Sequence, residues 1–304
     1  MSSKPLVTIC IPSYNAESFI GQTVETVLNQ SFTDFELVVL DDRSTDQTVS
    51  VVKSFSDPRI RLIENRCTLG LSRNWNRVLS LEMGKYVKLL CDDDLLHPSC
   101  LEHQTAILDD ASNSAAVLTL CRRNVINDRG ELLLQPKRFF RSGLVSGPEL
   151  IRKSIRRGSN LLGEPVVGLF RREALKDKEI CDPGNPYLSD LNLWKELLRQ
   201  GDAFLDPHCL ASFRVSKNAA TARLGLRQAM YFQAFARALR TDPFYRVGSW
   251  DLLWAHIFSL HWCVLRNLFI NFHSNPTFRK FASCRSASAK RNQDVPDLAR
   301  VNCN

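Results

Sequence analysis

From residue 6 to residue 120 short apolar runs alternate with amphipathic stretches, and few folds accept that pattern. LVTICI (6–11), FELVVL (35–40), RIRLIEN (59–65), KYVKLL (85–90) and AAVLTL (115–120) read as buried strands. AESFIGQTVETVLNQ (16–30), the segment from DDRST to about Phe55, LSRNWNRVLSLEM (71–83) and HPSCLEHQTAILDD (97–110) read as helices. Ser44 or Thr45 caps the second of these, and Pro98 opens the last. Strands separated by single helices imply parallel βαβ units in a doubly wound α/β sheet, and exclude all-helical and all-β architectures. Such sheets bind ligands beyond the carboxyl ends of their strands.

Two acidic clusters fall on that edge. Asp41 and Asp42 follow the second strand, and Asp92, Asp93 and Asp94 follow the fourth. Three adjacent carboxylates repel one another, so local folding gains nothing from the triplet. Hard oxygen ligands at a strand end suit Mg²⁺ or Mn²⁺, with substrate phosphates completing the shell. A solvated loop or a helix cap accounts for one Asp and poorly for three.

Beyond residue 120 the pattern loosens. VINDRGELLL reads as a hairpin around Asn127–Gly130, GEPVVGLFRREAL (163–175) as a strand entering a helix, and SDLNLWKELLRQG (189–201) as a helix closed by Gly201. Past Ser216 the chain reads as mostly helical. The expected organisation is therefore a catalytic domain over 1–216, a helical region over 217–280 and a flexible polar tail over 281–304. From Gly201 onward there are fourteen Lys/Arg against six Asp and no Glu, so the whole net charge of +8 falls in the last third. That asymmetry implies an anionic partner. The basic residues are dispersed and match no nucleic-acid-binding motif, which sets nucleic acid aside. An anionic membrane surface or a diphosphate-bearing substrate fits at least as well. Trp250, Trp254, Phe258 and Trp262 recur every four residues, forming a stripe on one helical face. The stripe suits either packing on the catalytic domain or an interfacial helix; His256, His261 and Arg266 argue against a membrane span. The ten cysteines show neither paired nor zinc-binding spacing, and the chain opens MSSKP directly into a strand. Reduced thiols in a cytoplasmic compartment, peripheral to the inner face of a membrane, are the expectation.

VTICIPSYNAESFIGQTVETVLNQSFTDFELVVLDDRSTDQT followed by GLSRNWNRVLSLEMGKYVKLLCDDD resembles the family 2 glycosyltransferases of the GT-A fold, with separate motifs in order from about Pro5 to about Arg214. The resemblance implies a Rossmann-like, mainly parallel sheet with flanking helices. It implies transfer of a sugar, with inversion, from a nucleotide-diphosphate sugar donor to a hydroxyl of a saccharide or lipid-linked saccharide. Pro12 and Tyr14, in PSYN, would line the nucleotide pocket, Asp41 would accept from the base, and Arg73 with Asn74 would lie near the nucleotide. CDDD takes the place of the family's DXD motif, shifted so that Cys91 stands where a first Asp is usual. In one register Asp92 faces the ribose and Asp93 holds the metal; in the other Asp92 and Asp94 are the pair. Asp93 is the favoured ligand, with Asp94 beside it. YLSDLNLW (187–194) is similar to the segment bearing the catalytic base and gives that role to Asp190. Glu164 falls on the acceptor side. Many relatives carry a metal-binding histidine after the equivalent of FRV; here Ser216 stands there, leaving a water or His208 to substitute.

Three other functions compete with this reading. A dinucleotide-dependent dehydrogenase needs GxGxxG after the first strand, where PSYNAE stands. A nucleotidyltransferase needs a glycine-rich basic loop near the N-terminus, which is missing. A non-catalytic, membrane-associated subunit with a degenerate GT-A fold would be expected to lose acidic residues that this chain keeps.

Overall fold

A computed structural model describes residues 4–274 except 82, 136–141, 177–178, 216–223 and 226. In chain order its elements are β1 (Val7–Ser13), α1 (Ile20–Leu28), β2 (Phe35–Asp41), α2 (Thr48–Lys53), β3 (Ile60–Glu64), α3 (Leu71–Leu79), β4 (Tyr86–Leu89), β5 (Leu95–Leu96), α4 (Cys100–Asp109), β6 (Ala116–Ile126), β7 (Leu132–Leu134), β8 (Gly143–Val145), α5 (Gly147–Arg157), β9 (Gly168–Arg171), α6 (Ser189–Leu198), β10 (Asp202–Arg214), α7 (Arg227–Arg240) and α8 (Ser249–Ser274). All but two of the strands lie along one path in the order β3-β2-β1-β4-β9-β6-β10-β5, while β7 pairs with β6 and β8 with β10.

The four expected N-terminal strands form the parallel half of the sheet, with β1 between β2 and β4. β1 and β4 are buried along their whole length, as a strand covered on both faces must be. β9 then enters antiparallel to both β4 and β6. β6 and β10 resume the parallel direction. The fifth expected strand, 115–120, extends to Ile126, and the hairpin at Asn127–Gly130 is present: Asn127 Oδ1 accepts from the backbone N–H groups of Arg129 and Glu131. Two expectations are corrected. FRREAL makes a single 3₁₀ turn over Arg172–Ala174 instead of a helix. α2 begins at Thr48 with Gln47 in the cap position, later than Ser44 or Thr45 would place it, and the preceding Asp46 accepts the Thr48 N–H on Oδ1 at 3.0 Å.

α8 lies along α5 and α7. Asp251, Ala255, Ser259 and Cys263, four residues apart, are its buried stripe. Asp251 pairs with Arg152 and Arg156 of α5. Gly158, left-handed at the end of α5 (φ 61°), lets the α8 backbone come so close that a Cβ there would sit 2.3 Å from Ser259 N. The tryptophans face the other way, with Trp250 73%, Trp254 43% and Trp262 37% exposed. The helix thus packs on the catalytic half, as one of the two expectations had it, but through its small residues and not its aromatic stripe. Among the described residues no helix is long and apolar enough to cross a membrane. The described cysteines form no disulfides. The tail from 281 and Ser216 lie outside the described residues.

Candidate active site

The loops leaving β1 and β2 are laced together at the carboxyl edge. Asn15, held at φ 51°, accepts the Thr45 N–H on Oδ1 at 2.8 Å and donates its own N–H to Ser44 Oγ at 2.9 Å. Asn tolerates that left-handed conformation better than most side chains. Pro12 lies buried in β1 opposite Leu40, while Tyr14 is half exposed at the lip. The two aspartates after β2 divide their work. Asp41, buried, accepts from the Ser44 N–H at 2.9 Å and the Ser44 hydroxyl at 2.5 Å. Asp42 accepts from Asn65 Nδ2 and from the N–H groups of Leu69 and Gly70, and so fixes the start of α3. Gly70 supplies the positive φ of 82° that this turn needs. Asn74 is buried, donating to the Leu40 carbonyl and accepting from Asn65, which makes it a support for this turn; Arg73 beside it is exposed.

The acidic triplet is gripped from two sides. Tyr14 donates its N–H to Asp92 Oδ2 at 3.2 Å, and Thr23 donates its hydroxyl to the Asp92 carbonyl at 3.0 Å. On the other side stands Arg214, 1% exposed at the end of β10. Its backbone N–H donates to Asp94 Oδ1 at 2.9 Å, and its guanidinium donates to the carbonyls of Asp93, Asn127 and Asp128 and to Gln22 Oε1. The guanidinium also lies 4.7 Å over the Phe19 ring. Burial, then the charge of Asp93, pushes Asp92 up to about 7. Burial raises Asp93 to about 6 against the pull of Arg214, and burial with Asp93's charge holds Asp94 well above the carboxylate range.

Protons favoured on adjacent carboxyls mark a place where a cation would do the same work. Asp94 Oδ2 is buried and has no hydrogen-bond partner among the described residues. With Asp93 partly exposed beside it, this oxygen set fits a hard divalent ion.

Asp190 opens α6. Its Oδ2 accepts from Asn160 Nδ2 at 2.8 Å and its Oδ1 from the Leu191 N–H at 2.7 Å. Burial, then the neighbouring charge of Glu164, lifts its carboxyl to about 6. The loop bearing Asn160 and Glu164 is locked to α6 by Trp194, whose indole donates to the Gly163 carbonyl at 2.8 Å. Trp194 fits only because Gly168 lacks a Cβ, which would lie 2.5 Å from the ring. Glu164 forms an ion pair with Arg123 of β6. Its charge also raises Asp94, so Glu164 is near enough to act on both the triplet and Asp190. The hydroxyls of Ser72 and Ser189, 3.3 Å apart, bring the first turn of α3, with Arg73, against the start of α6. Arg266 of α8 reaches in to Tyr187 and Gln228, adding a cation that pulls Asp190 down.

The structure therefore gathers Pro12, Tyr14, Asp41, Arg73, Asp92, Asp93, Asp94, Glu164 and Asp190 along one edge. It does not bring His208 there: six residues up β10 from Arg214, His208 meets Asp206 instead. Arg214, Asn160 and Arg123 are the site residues that sequence reasoning missed.

Clustered carboxylates beyond the ends of parallel strands, with a separate raised aspartate near them, lie where doubly wound sheets bind their ligands. Residues 8–177, more than half of the chain, match the family model described as glycosyl transferase family 2. The chain belongs to that family. It is 38% identical over 103 residues (34% of this chain, 41% of the relative) to UDP-Glc:alpha-D-GlcNAc-diphosphoundecaprenol beta-1,3-glucosyltransferase WfgD of Escherichia coli. Among solved structures it is similar to S. aureus TarS 1-349 in complex with UDP-GlcNAc, with a TM-score of 0.60, 19% identity, and coverage of 79% of this chain and 67% of that one. It is likewise similar to the mannosyltransferase PcManGT from Pyrobaculum calidifontis in complex with GDP-Man and Mn²⁺ (TM-score 0.54, 18% identity, 96% and 88% covered). The fold of this glycosyltransferase is GT-A, as its sequence motifs imply.

Proposed function

We propose that this glycosyltransferase moves a sugar from a nucleotide-diphosphate donor to a saccharide hydroxyl with inversion, using Mg²⁺ or Mn²⁺, in assembling a cell-surface polysaccharide or glycolipid. The observation that carries this reading is the pairing of two carboxylate groups around Glu164: the triplet on the donor side and Asp190, raised to about 6, on the other. Pro12, Tyr14 and Asp41 line the nucleotide side, with Arg73 at its rim, and Asp92, tethered by Tyr14, faces the ribose. Asp93 and the unpartnered oxygen of Asp94 would hold the ion, which neutralises charge on the departing diphosphate. Asp190 takes the proton of the acceptor hydroxyl as it attacks the anomeric carbon from the opposite face; Asn160 fixes its rotamer and Glu164 keeps its basicity high. Glu164, held by Arg123, borders the acceptor.

Catalysis is assigned to residues 1–216, and the helical region after it to placement. The outward face of α8, with Trp250, Trp254 and Trp262 exposed, and the positive balance of the sequence after Gly201 support a role at anionic headgroups. A lipid-linked saccharide at the inner face of the membrane is then the acceptor class. Both relatives quoted for their ligands, TarS and PcManGT, were solved with nucleotide sugars, which supports the donor class.

The test is calorimetric titration with a panel of nucleotide diphosphates, with and without Mn²⁺, on the native chain and on Asp93→Ala. Metal-dependent binding of one nucleotide, lost in the variant, is expected. Absence of binding by every nucleotide would move the non-catalytic reading to the front. Flotation with anionic and neutral vesicles tests the membrane assignment separately, using Trp250→Ala.

A further inference from the structure

Away from the cleft, β10 loses its register with β6 between Leu205 and Cys209. Such irregularities re-aim side chains, and Asp206 and His208 both come from this one. Helix α4 brings His103 alongside. The His103 and His208 rings have centroids 4.7 Å apart, and one ligand atom from each of His103, Asp206 and His208 lies within 4.8 Å of the others. Asp206 Oδ1 accepts from the His208 N–H at 2.9 Å and lies 2.6 Å from His208 Nδ1. Asp206 is only 2% exposed, and its second oxygen, Oδ2, is buried with no hydrogen-bond partner among the described residues. Buried carboxylate oxygens are nearly always satisfied, so an orphan beside two imidazoles points to a missing electrophile.

We propose that His103, Asp206 and His208 form a second cation site, for a transition ion of the Zn²⁺ class, which clamps α4 to β10. Two imidazoles and a carboxylate favour Zn²⁺, Co²⁺ or Ni²⁺ over the oxygen-loving Mg²⁺ and Mn²⁺ that suit the triplet. Bonds of about 2.0–2.2 Å put tetrahedral ligand atoms roughly 3.3 Å apart, so the ligands close in by on the order of 1.5 Å. His208, whose side chain is 59% exposed, has the freedom to make that movement. Water fills the remaining position. Asp206 precedes Arg214 by eight strand residues of β10, up to about 26 Å at about 3.3 Å each, so this site is separate from the triplet. The clamp acts on the helix that directly follows the acidic loop, because the His97 N–H at its foot already donates to the Leu210 carbonyl of β10.

The test uses the full-length, tag-free chain, stripped with chelator and then saturated with Mg²⁺ to fill the triplet. Titration with Co²⁺ is expected to give visible d–d bands at one equivalent, to raise the unfolding temperature, and to be reversed by Zn²⁺. His103→Ala and His208→Ala should each weaken Co²⁺ by at least about a hundredfold, more than loss of an outer-shell partner does. Both variants should unfold at the parent temperature in chelator, since His208 is exposed and His103 only partly buried. Asp93→Ala should keep the bands. Absence of bands and of a thermal shift, or bands that survive both histidine variants, would reduce the trio to an ordinary His–Asp pair and overturn the proposal. Bands abolished by Asp93→Ala would place the ion at the triplet and overturn it too.

Discussion

Replacing Arg214 with methionine tests how the acidic loop is held. The substitution keeps the length and most of the bulk of the side chain and leaves the backbone N–H that donates to Asp94. It removes the donors to the carbonyls of Asp93, Asn127 and Asp128 and to Gln22 Oε1, at 2.8 to 3.2 Å, and the cation over Phe19. Each lost bond to a charged donor costs about 1–3 kcal/mol when the acceptor stays buried. Methionine returns some of this through apolar packing, and water reaches some of the carbonyls, so the net loss is about 3–4 kcal/mol. For a chain of this size that lowers the unfolding temperature by on the order of 10 °C.

A second signature separates grip from general damage. Arg214 pulls Asp93 down, so without it the Asp93 carboxyl rises above its value of about 6. Metal-dependent nucleotide binding should then weaken near pH 6 by more than it does in the parent and recover only at a higher pH, towards about 8. Arg214→Lys, with the charge but not the fork, should fall between the two in stability and keep the parent's pH profile. Thermal unfolding in chelator and calorimetry at the two pH values make the measurement. A loss below about 1 kcal/mol would refute the reasoning, because buried acceptors deprived of their donor cannot be that indifferent.

Asp190→Asn should lower kcat by about 10²–10⁴ while leaving nucleotide binding intact; single-turnover transfer beside calorimetry checks it. In the parent, kcat/KM should climb with pH through about 6 and then level, since the base acts only when ionised, and a profile falling over that range would contradict the role of Asp190. A carboxyl raised in the folded state stabilises the fold while protonated, and this contribution fades as pH rises through its folded pKa. With Asp93 at about 6 and Asp92 at about 7, the cation-free protein should lose stability between roughly pH 4 and 7, and Mn²⁺ should raise the unfolding temperature more at about pH 8 than at about pH 5. Equal gains at both would sink the cation reading. Gly158→Ala adds a Cβ within 2.5 Å of the α8 backbone at a left-handed residue, and should cost at least about 2 kcal/mol in urea unfolding by prising α8 from α5.

The parallel half of the sheet was legible in the sequence because buried parallel strands are continuous apolar runs, and β1, β2 and β4 are such runs. The carboxylates were legible because polarity at a strand's end breaks that continuity. Helix limits were not: AESFIGQTVETVLNQ yields only Ile20–Leu28, since Asn15, Ala16 and Glu17 give their N–H groups to Ser44, Thr48 and Asp46 in the loop after β2. β10 and α5 escaped notice because Asp206, Pro207 and His208 interrupt one and four basic residues mask the other. Arg214 reads as an ordinary basic residue. Its partners sit 86 to 192 positions away, and nothing local announces them. Asn160 and Arg123 were hidden for the same reason.

The insertion of β10 beside β6 has a consequence for synthesis on the ribosome. The first four strands can pair with one another as soon as residue 89 has emerged, because β1 lies between β2 and β4 and β3 pairs with β2; only β9, the other neighbour of β4, comes later. The acidic loop that follows can meet Tyr14 and Thr23 at once, but its other side is not gripped until Arg214 arrives, about 120 residues later in translation. Over that interval a nascent chain would hold the acidic loop from one side only. If the triplet holds the proposed ion, competence for metal and donor waits until the last strand of the sheet is made, and a product truncated before it should pair its first strands without binding either.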